Sequence, residues 1–256
     1  MAPLDGIARD EGDPSAQLTE LAAQAAAALG DRFVGMYLYG SMALGDFEPA
    51  TSDVDFVVVT NDWLADEAID RLRALHARLI DTGGYWAQKL EGTYLPLAEL
   101  PRYREDMPPV PCVNERRFFL AGHGRDWVLQ RYVLREHPVV VAGPSIGHLI
   151  APVGPDEISA AVRAVLRADW RPDAPIMAQL GAPEYQAFAV LTMCRALHAI
   201  EVGMVVSKPL AARWAAAELR EPWAELIATA ASWQPGVPLD RLDDVLAFVS
   251  FAVRRA

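Results

Sequence analysis

The chain has 256 residues, enough for one large domain or two smaller ones with a sizeable core. Hydrophobic residues make up 52% and charged residues 22%, a globular composition, and 23 Lys and Arg against 34 Asp and Glu leave a net charge of −11. That balance argues against a general nucleic-acid binder, whose phosphate contacts need clustered Lys and Arg; it is compatible with a cationic small-molecule partner and equally with plain solubility.

Residues 1 to about 14 are polar and are expected to fray. They hold no basic run followed by an apolar core, so no signal peptide is expected and the compartment reads as cytoplasm. Ser15 opens a helical pattern that reaches Leu29, and Gly30 closes it. "FVGMYLY" (33–39) reads as a strand and "DVDFVVV" (53–59) as a second, on their aromatic and β-branched content. Helical periodicity follows over 62–81, ended by Gly83-Gly84. "YWAQKLEGTYLPL" (85–97) reads as a third strand, and a Pro-rich loop with Pro101, Pro108, Pro109 and Pro111 comes after it. An amphipathic helix is expected over 125–137 and a short strand or extended segment over 138–144.

After Pro152 the texture changes to Ala-, Leu- and Trp-rich sequence with helical spacing. Helices are expected near 156–168, 183–203, 209–219, 221–232 and 239–254, with no further strand. The longest apolar stretch, around 187–206, is interrupted by Arg195, His198 and Glu201, which fits a buried helix rather than a membrane span. An α/β half thus precedes an all-helical half, with domains expected at 1–150 and 151–256. The two cysteines, Cys112 and Cys194, are far apart, and the five histidines form no H-x-x-x-H pair, so neither a disulfide framework nor a zinc pattern is present.

The chemistry concentrates between Leu38 and Thr60. Side chains on a strand alternate faces, so Asp53 and Asp55 share one. Like charges side by side repel, and Asp is unfavourable inside a strand. Either a strand edge open to water or a hard divalent cation such as Mg²⁺ relieves the pair, and the cation leaves room for phosphate oxygens. Gly40-Ser41 ends the preceding strand and is expected to open a short helix. Glycine lets a ligand approach the backbone, a helix start offers free N–H groups, and the Ser hydroxyl adds a donor. Gly-Ser after one strand with Asp-x-Asp on the next is far more specific than either alone. Glu91, an acid between apolar residues on the third expected strand, is either a third functional carboxylate or a solvent-facing strand residue.

"YGSMALGDFEPATSDVDFVVV" (39–59) resembles the signature of the DNA polymerase β-like nucleotidyltransferases. "VLTMCRALHAIEVGMVVSKPLAARWA" (190–215), with "REHPVVVAGP" (135–144) and "LIAPVGPDEI" (149–158), resembles more narrowly the aminoglycoside 3''-adenylyltransferases, the streptomycin and spectinomycin resistance enzymes. The resemblance covers about residues 16 to 250. It implies an α+β fold: an N-terminal polymerase β-like nucleotidyltransferase domain, a mixed sheet with helices, followed by an all-helical C-terminal domain. It also implies Mg²⁺-dependent transfer of AMP from ATP to the hydroxyl of a small-molecule acceptor such as an aminoglycoside; the alternatives are the same chemistry on another small molecule or a protein side chain, or nucleotide binding without turnover. By this resemblance Gly40 and Ser41 hold phosphate, Ser52 precedes the metal pair, Asp53 and Asp55 bind Mg²⁺, and Glu91 takes the acceptor proton. Arg195 and Lys208 match two cations aimed at the triphosphate, and Trp233 falls where an aromatic lies near the adenine, though a core Trp fits there as well. Arg195 sits on an otherwise apolar helix, where an Arg is costly unless paired. Lys208 stands at a helix start, where the dipole disfavours a cation without a nearby anion.

The acceptor side departs from the family. The acidic residues expected ahead of "LTMCR" are replaced, in register, by Gly181, Tyr185 and Phe188, with only Glu184 acidic nearby. A tryptophan expected after a Gly-Glu is absent: this chain has Gly122-His123-Gly124, and Trp127 follows three residues later. Glu184, Tyr185, His123 and Trp127 are the residues left to meet an acceptor. Neither nucleic acid nor membrane is expected as a partner, and the sequence does not speak to oligomeric state.

Overall fold

A computed structural model describes residues 14–82, 84–114 and 116–256. The expected fraying of the first thirteen positions and the Gly83 part of the Gly83-Gly84 stop lie outside these residues. Backbone contacts divide the chain into two compact units, residues 1–123 with 133–151, and 124–132 with 152–256.

The first unit is built on a six-stranded sheet. In chain order its elements are α1 (Ser15–Leu29), β1 (Phe33–Leu38), α2 (Gly40–Leu44), β2 (Val54–Thr60), α3 (Asp66–Thr82), β3 (Leu90–Pro96), β4 (Val110–Asn114), β5 (Arg117–Ala121), the end of α4 (Trp127–Glu136) and β6 (Val139–Ala142). The strand order is β5-β4-β3-β2-β1-β6. Only β2 and β3 run parallel, joined through α3; the other neighbours are antiparallel, so the sheet is mixed. A parallel central strand is covered on both faces and needs a continuous apolar run. β2 supplies one, with Val54, Phe56, Val57, Val58 and Val59 all fully buried. Leu18, Leu21 and Ala25 of α1 and Ala68, Leu72 and Leu75 of α3 share one core with Met36, Phe56, Val58 and Tyr94 of the sheet.

Two stretches differ from the sequence reading. Residues 85–88 form a 3₁₀ turn, and the third strand starts only at Leu90. The Pro-rich loop holds two strands, β4 and β5, which pair as a hairpin. Pro111 hides β4 from a propensity reading because it lacks a ladder donor. The β4 ladder to β3 covers Val113 and Cys112 and stops short of Pro111, whose carbonyl instead accepts the Thr93 hydroxyl at 3.0 Å.

The second unit contains α5 (Pro155–Asp169), α6 (Pro183–Val202), α7 (Lys208–Leu219), α8 (Trp223–Ala231) and α9 (Leu242–Arg255). α6 is apolar nearly all round, and such a helix belongs in a core. It packs against α5, α7, α8 and α9 and buries Ala189, Val190, Met193, Cys194 and Leu197. Gly203 ends it in the left-handed conformation, where a Cβ would strike Pro155. Ser207 caps α7, its hydroxyl accepting the Leu210 N–H at 3.5 Å. Among the described residues no helix is long and apolar enough to cross a membrane.

Candidate active site

β2 and β3 place the acids. In their parallel register Asp55 stands directly opposite Glu91. Asp53 is exposed just before β2, while Asp55 and Glu91 are half-buried. The chain leaving β1 is tied to the same point, since the Tyr39 N–H donates to the Asp55 carbonyl at 3.1 Å. Gly40 follows with φ of 60°, and a Cβ there would overlap the Asp55 carboxylate. Both the backbone conformation and the close approach therefore require glycine. Ser41, half-buried, is the second residue of α2, and Gly45 closes that helix in the left-handed conformation. The start of α2 and the Asp55 carboxylate thus share one small space.

The charge at Glu91 is felt on β4. Burial pushes the Cys112 thiol up, hydrogen bonds with Thr93 and Ala121 pull it back, and the Glu91 charge adds a further upward push. Among the described residues, no group of three or more His, Cys, Asp and Glu side chains stands ready to hold a metal by itself. Mg²⁺ is usually held by one or two carboxylates and completes its shell with water and substrate phosphates. Asp53 and Asp55, the latter with its carboxylate against the Gly40 turn, are a donor set of this kind.

The other expected residues are placed as follows. The Ser52 hydroxyl accepts the Glu48 N–H at 3.0 Å and so shapes the loop ahead of β2. His123 is buried, its Nε2 3.2 Å from the Thr93 hydroxyl. Trp127 is buried in the second unit under the Arg131 guanidinium, 5.7 Å from the ring centroid. Neither His123 nor Trp127 is an open surface. Glu184 is exposed near the start of α6, and Tyr185 packs against the helical core. Phe188 is exposed, and the Lys208 ammonium lies 5.2 Å from its ring centroid. This contact offers a cation at a helix N-terminus some compensation. Arg195 is half-buried on α6. Trp233 is half-buried against the helical core, and its indole N–H donates to the Val237 carbonyl at 2.8 Å.

Sequence reasoning overlooked Lys89 and Tyr85. Lys89 donates to the carbonyls of Ala50 and Ser52, and Tyr85 to that of Pro49. The signal was available as an aromatic and a lysine four residues apart just ahead of Glu91, but reading 85–97 as one strand made both look like ordinary strand positions.

Comparison with known proteins gives a match in each unit. A nucleotidyltransferase domain matches residues 24–91, a span containing Gly40, Ser41, Asp53, Asp55 and Glu91. The C-terminal domain of aminoglycoside adenylyltransferase matches residues 159–255, containing Glu184, Tyr185, Arg195, Lys208 and Trp233. No curated protein matches the chain significantly. The fold is similar to the crystal structure of spectinomycin adenyltransferase AAD(9) from Enterococcus faecialis with ATP and spectinomycin, at 16% identity and a TM-score of 0.72, over 94% of this chain and 97% of that one. The nucleotidyltransferase domain, the aminoglycoside adenylyltransferase C-terminal domain after it and the likeness of fold together support the aminoglycoside adenylyltransferase family and an enzyme that transfers a nucleotide.

Proposed function

We propose that the chain transfers AMP from ATP to a hydroxyl group of a small-molecule acceptor, with Mg²⁺ held by Asp53 and Asp55. The observation that carries this reading is the Gly40 turn closed against the Asp55 carboxylate, with Glu91 beside it in register. The acceptor oxygen forms a bond to the α-phosphorus, the bond from that phosphorus to the β-phosphate bridge breaks, and pyrophosphate leaves. Glu91 accepts the acceptor's proton, which requires hydrogen-bond reach of that hydroxyl. Bound Mg²⁺ would supply charge neutralisation at the phosphates. Gly40 and Ser41 present backbone and hydroxyl donors to phosphate oxygens. Arg195 and Lys208 supply positive charge for the leaving pyrophosphate, and Trp233 offers its indole face to the base.

The acceptor follows from what α6 lacks. Tyr185 and Phe188 stand where the family resemblance implied acids, His123 and Trp127 are buried, and Glu184 on α6 is exposed. Each missing charged contact to a bound cation is worth about 1.5–3 kcal/mol, roughly ten- to a hundredfold in affinity. Spectinomycin, smaller and needing fewer such contacts, is therefore the first acceptor to test, and streptomycin is expected to be labelled at least about tenfold less efficiently. The apolar character of Tyr185 and Phe188 favours, as a second reading, an acceptor with little positive charge. The experiment is to supply ATP labelled at the α-phosphate, Mg²⁺ and a panel of hydroxylated acceptors, and to follow labelled product and pyrophosphate. Efficient labelling of streptomycin would overturn the narrowing of the acceptor. Absence of labelling across a panel that includes apolar and cationic hydroxyls would count against the transfer itself.

A further inference from the structure

The loop that delivers Asp53 to the site is held from the side by residues 85–89, which lead into the strand that carries Glu91. Residues 45–53 join α2 to β2. Within this loop the N–H groups of Thr51 and Ser52 both donate to the Glu48 carbonyl, at 3.1 and 2.8 Å, and the Ser52 hydroxyl receives the Glu48 N–H. Further ties come from residues 85–89. The Lys89 ammonium donates to the Ser52 carbonyl at 2.9 Å and to the Ala50 carbonyl at 3.3 Å. The Tyr85 hydroxyl donates to the Pro49 carbonyl at 2.8 Å. The Lys89 carbonyl accepts the Val54 N–H at 2.8 Å. Lys89 also lies 5.1 Å from the centroid of the Tyr85 ring, so each side chain holds the other in place. The ammonium is thus aimed at backbone carbonyls on either side of Thr51, immediately before Asp53, and two residues before Glu91.

We propose that Lys89, braced by Tyr85, is a positioning residue that pre-organises the 48–53 loop so that Asp53 meets Mg·ATP in its working place. This rests on the reading of Asp53 and Asp55 as the acids that hold Mg·ATP. At the end of the loop Thr51 and Asp53 are exposed and Ser52 is half-buried. Without the charge-assisted bonds, binding must first order the loop, and that cost weakens binding rather than slowing the bond exchange. High Mg²⁺ and ATP restore the ordered loop, so the maximal rate survives.

The test uses Lys89→Met, Lys89→Arg and Tyr85→Phe in the full chain. Amide exchange without nucleotide is expected to speed up about tenfold or more at Thr51, Ser52 and Val54 in Lys89→Met, with the amides of Val57 and Val58 unchanged. Calorimetry with Mg·ATP should show about tenfold weaker binding, on the scale of a lost bond to a charged group. In AMP transfer, KM for Mg·ATP should rise while kcat at saturation stays within about threefold. Lys89→Arg, which can still donate to the carbonyls, should recover most of the loss. Tyr85→Phe should show a smaller loop effect, keeping a readout should Lys89→Met fold poorly. Unchanged exchange and unchanged Mg·ATP affinity in Lys89→Met would overturn the proposal, as would a fall in kcat at saturation that Lys89→Arg does not restore. If the unaltered chain binds no Mg·ATP, both this inference and the proposed function fail. That outcome is told apart from failure of the brace alone because exchange reads the loop with no nucleotide present.

Discussion

At Gly40, one missing methyl group decides whether an acid can reach the start of a helix. Its φ is 60°, and a Cβ would occupy the place of the Asp55 carboxylate. Gly40→Ala is therefore expected to displace that carboxylate and to cut nucleotide transfer about a hundredfold or more while strain lowers stability by about 1–3 kcal/mol. Steady-state rates and urea unfolding check the two parts. Glu91 makes a different demand. Glu91→Gln keeps shape and removes the proton acceptor, so Mg·ATP binding should hold while turnover falls by roughly 10² or more, the scale of a general base. An equal loss of Mg·ATP affinity in calorimetry would make Glu91 a metal ligand instead. Asp53→Asn and Asp55→Asn should each abolish turnover with the fold retained, and transfer near the unaltered rate in both would remove the metal assignment.

Between elements, α3 meets the sheet through a buried histidine. His76 shares a 2.7 Å hydrogen bond with the Tyr94 hydroxyl of β3, with the Phe118 ring of β5 stacked 5.7 Å away. Burial pushes its pKa from 6.5 down to about 4, and burial also lowers that of His198 in the helical unit. The unfolded chain therefore binds a proton that the folded chain refuses between pH 6.5 and about 4, so this contribution to stability is intact above pH 6.5 and is lost as the pH falls. His76 alone should cost about 2 kcal/mol between pH 7 and pH 5. His76→Gln should shrink the pH 7-to-5 difference in urea unfolding by that amount, and an unchanged difference would sink the assignment. At the start of α7, Lys208 lies against the Phe188 ring. Lys208→Ala should weaken binding of ATP far more than of AMP if its charge serves the β- and γ-phosphates; equal losses would leave only the packing role.

Across the whole molecule, each unit has its own core. That of the helical unit is centred on α6 and includes Phe248 of α9, fully buried beside Trp223. Phe248→Ala should cost about 3–5 kcal/mol in urea unfolding, the usual scale for a buried Phe. The order of elements was legible in the sequence because hydrophobic periodicity, capping glycines and a run such as "DVDFVVV" are local signals that survive without tertiary contacts. The five helices after Pro152 followed from such signals, and the nucleotidyltransferase and adenylyltransferase character from the family resemblance carried by residues 39–59 and 190–215. The β4–β5 hairpin did not, because Pro111 masks a strand whose pairing is set by its neighbours rather than by its own residues. Sequence could also name Asp55 and Glu91 separately, but only the parallel pairing of β2 with β3 puts them opposite one another. The same holds for Gly40, whose conflict with the Asp55 carboxylate arises only once β1 and β2 are aligned. Burial of His123 against Thr93 and the reach of Lys89 to the 48–53 loop were likewise decided in three dimensions. Local sequence dictates which element forms, while contacts between residues distant in the chain depend on how those elements stack.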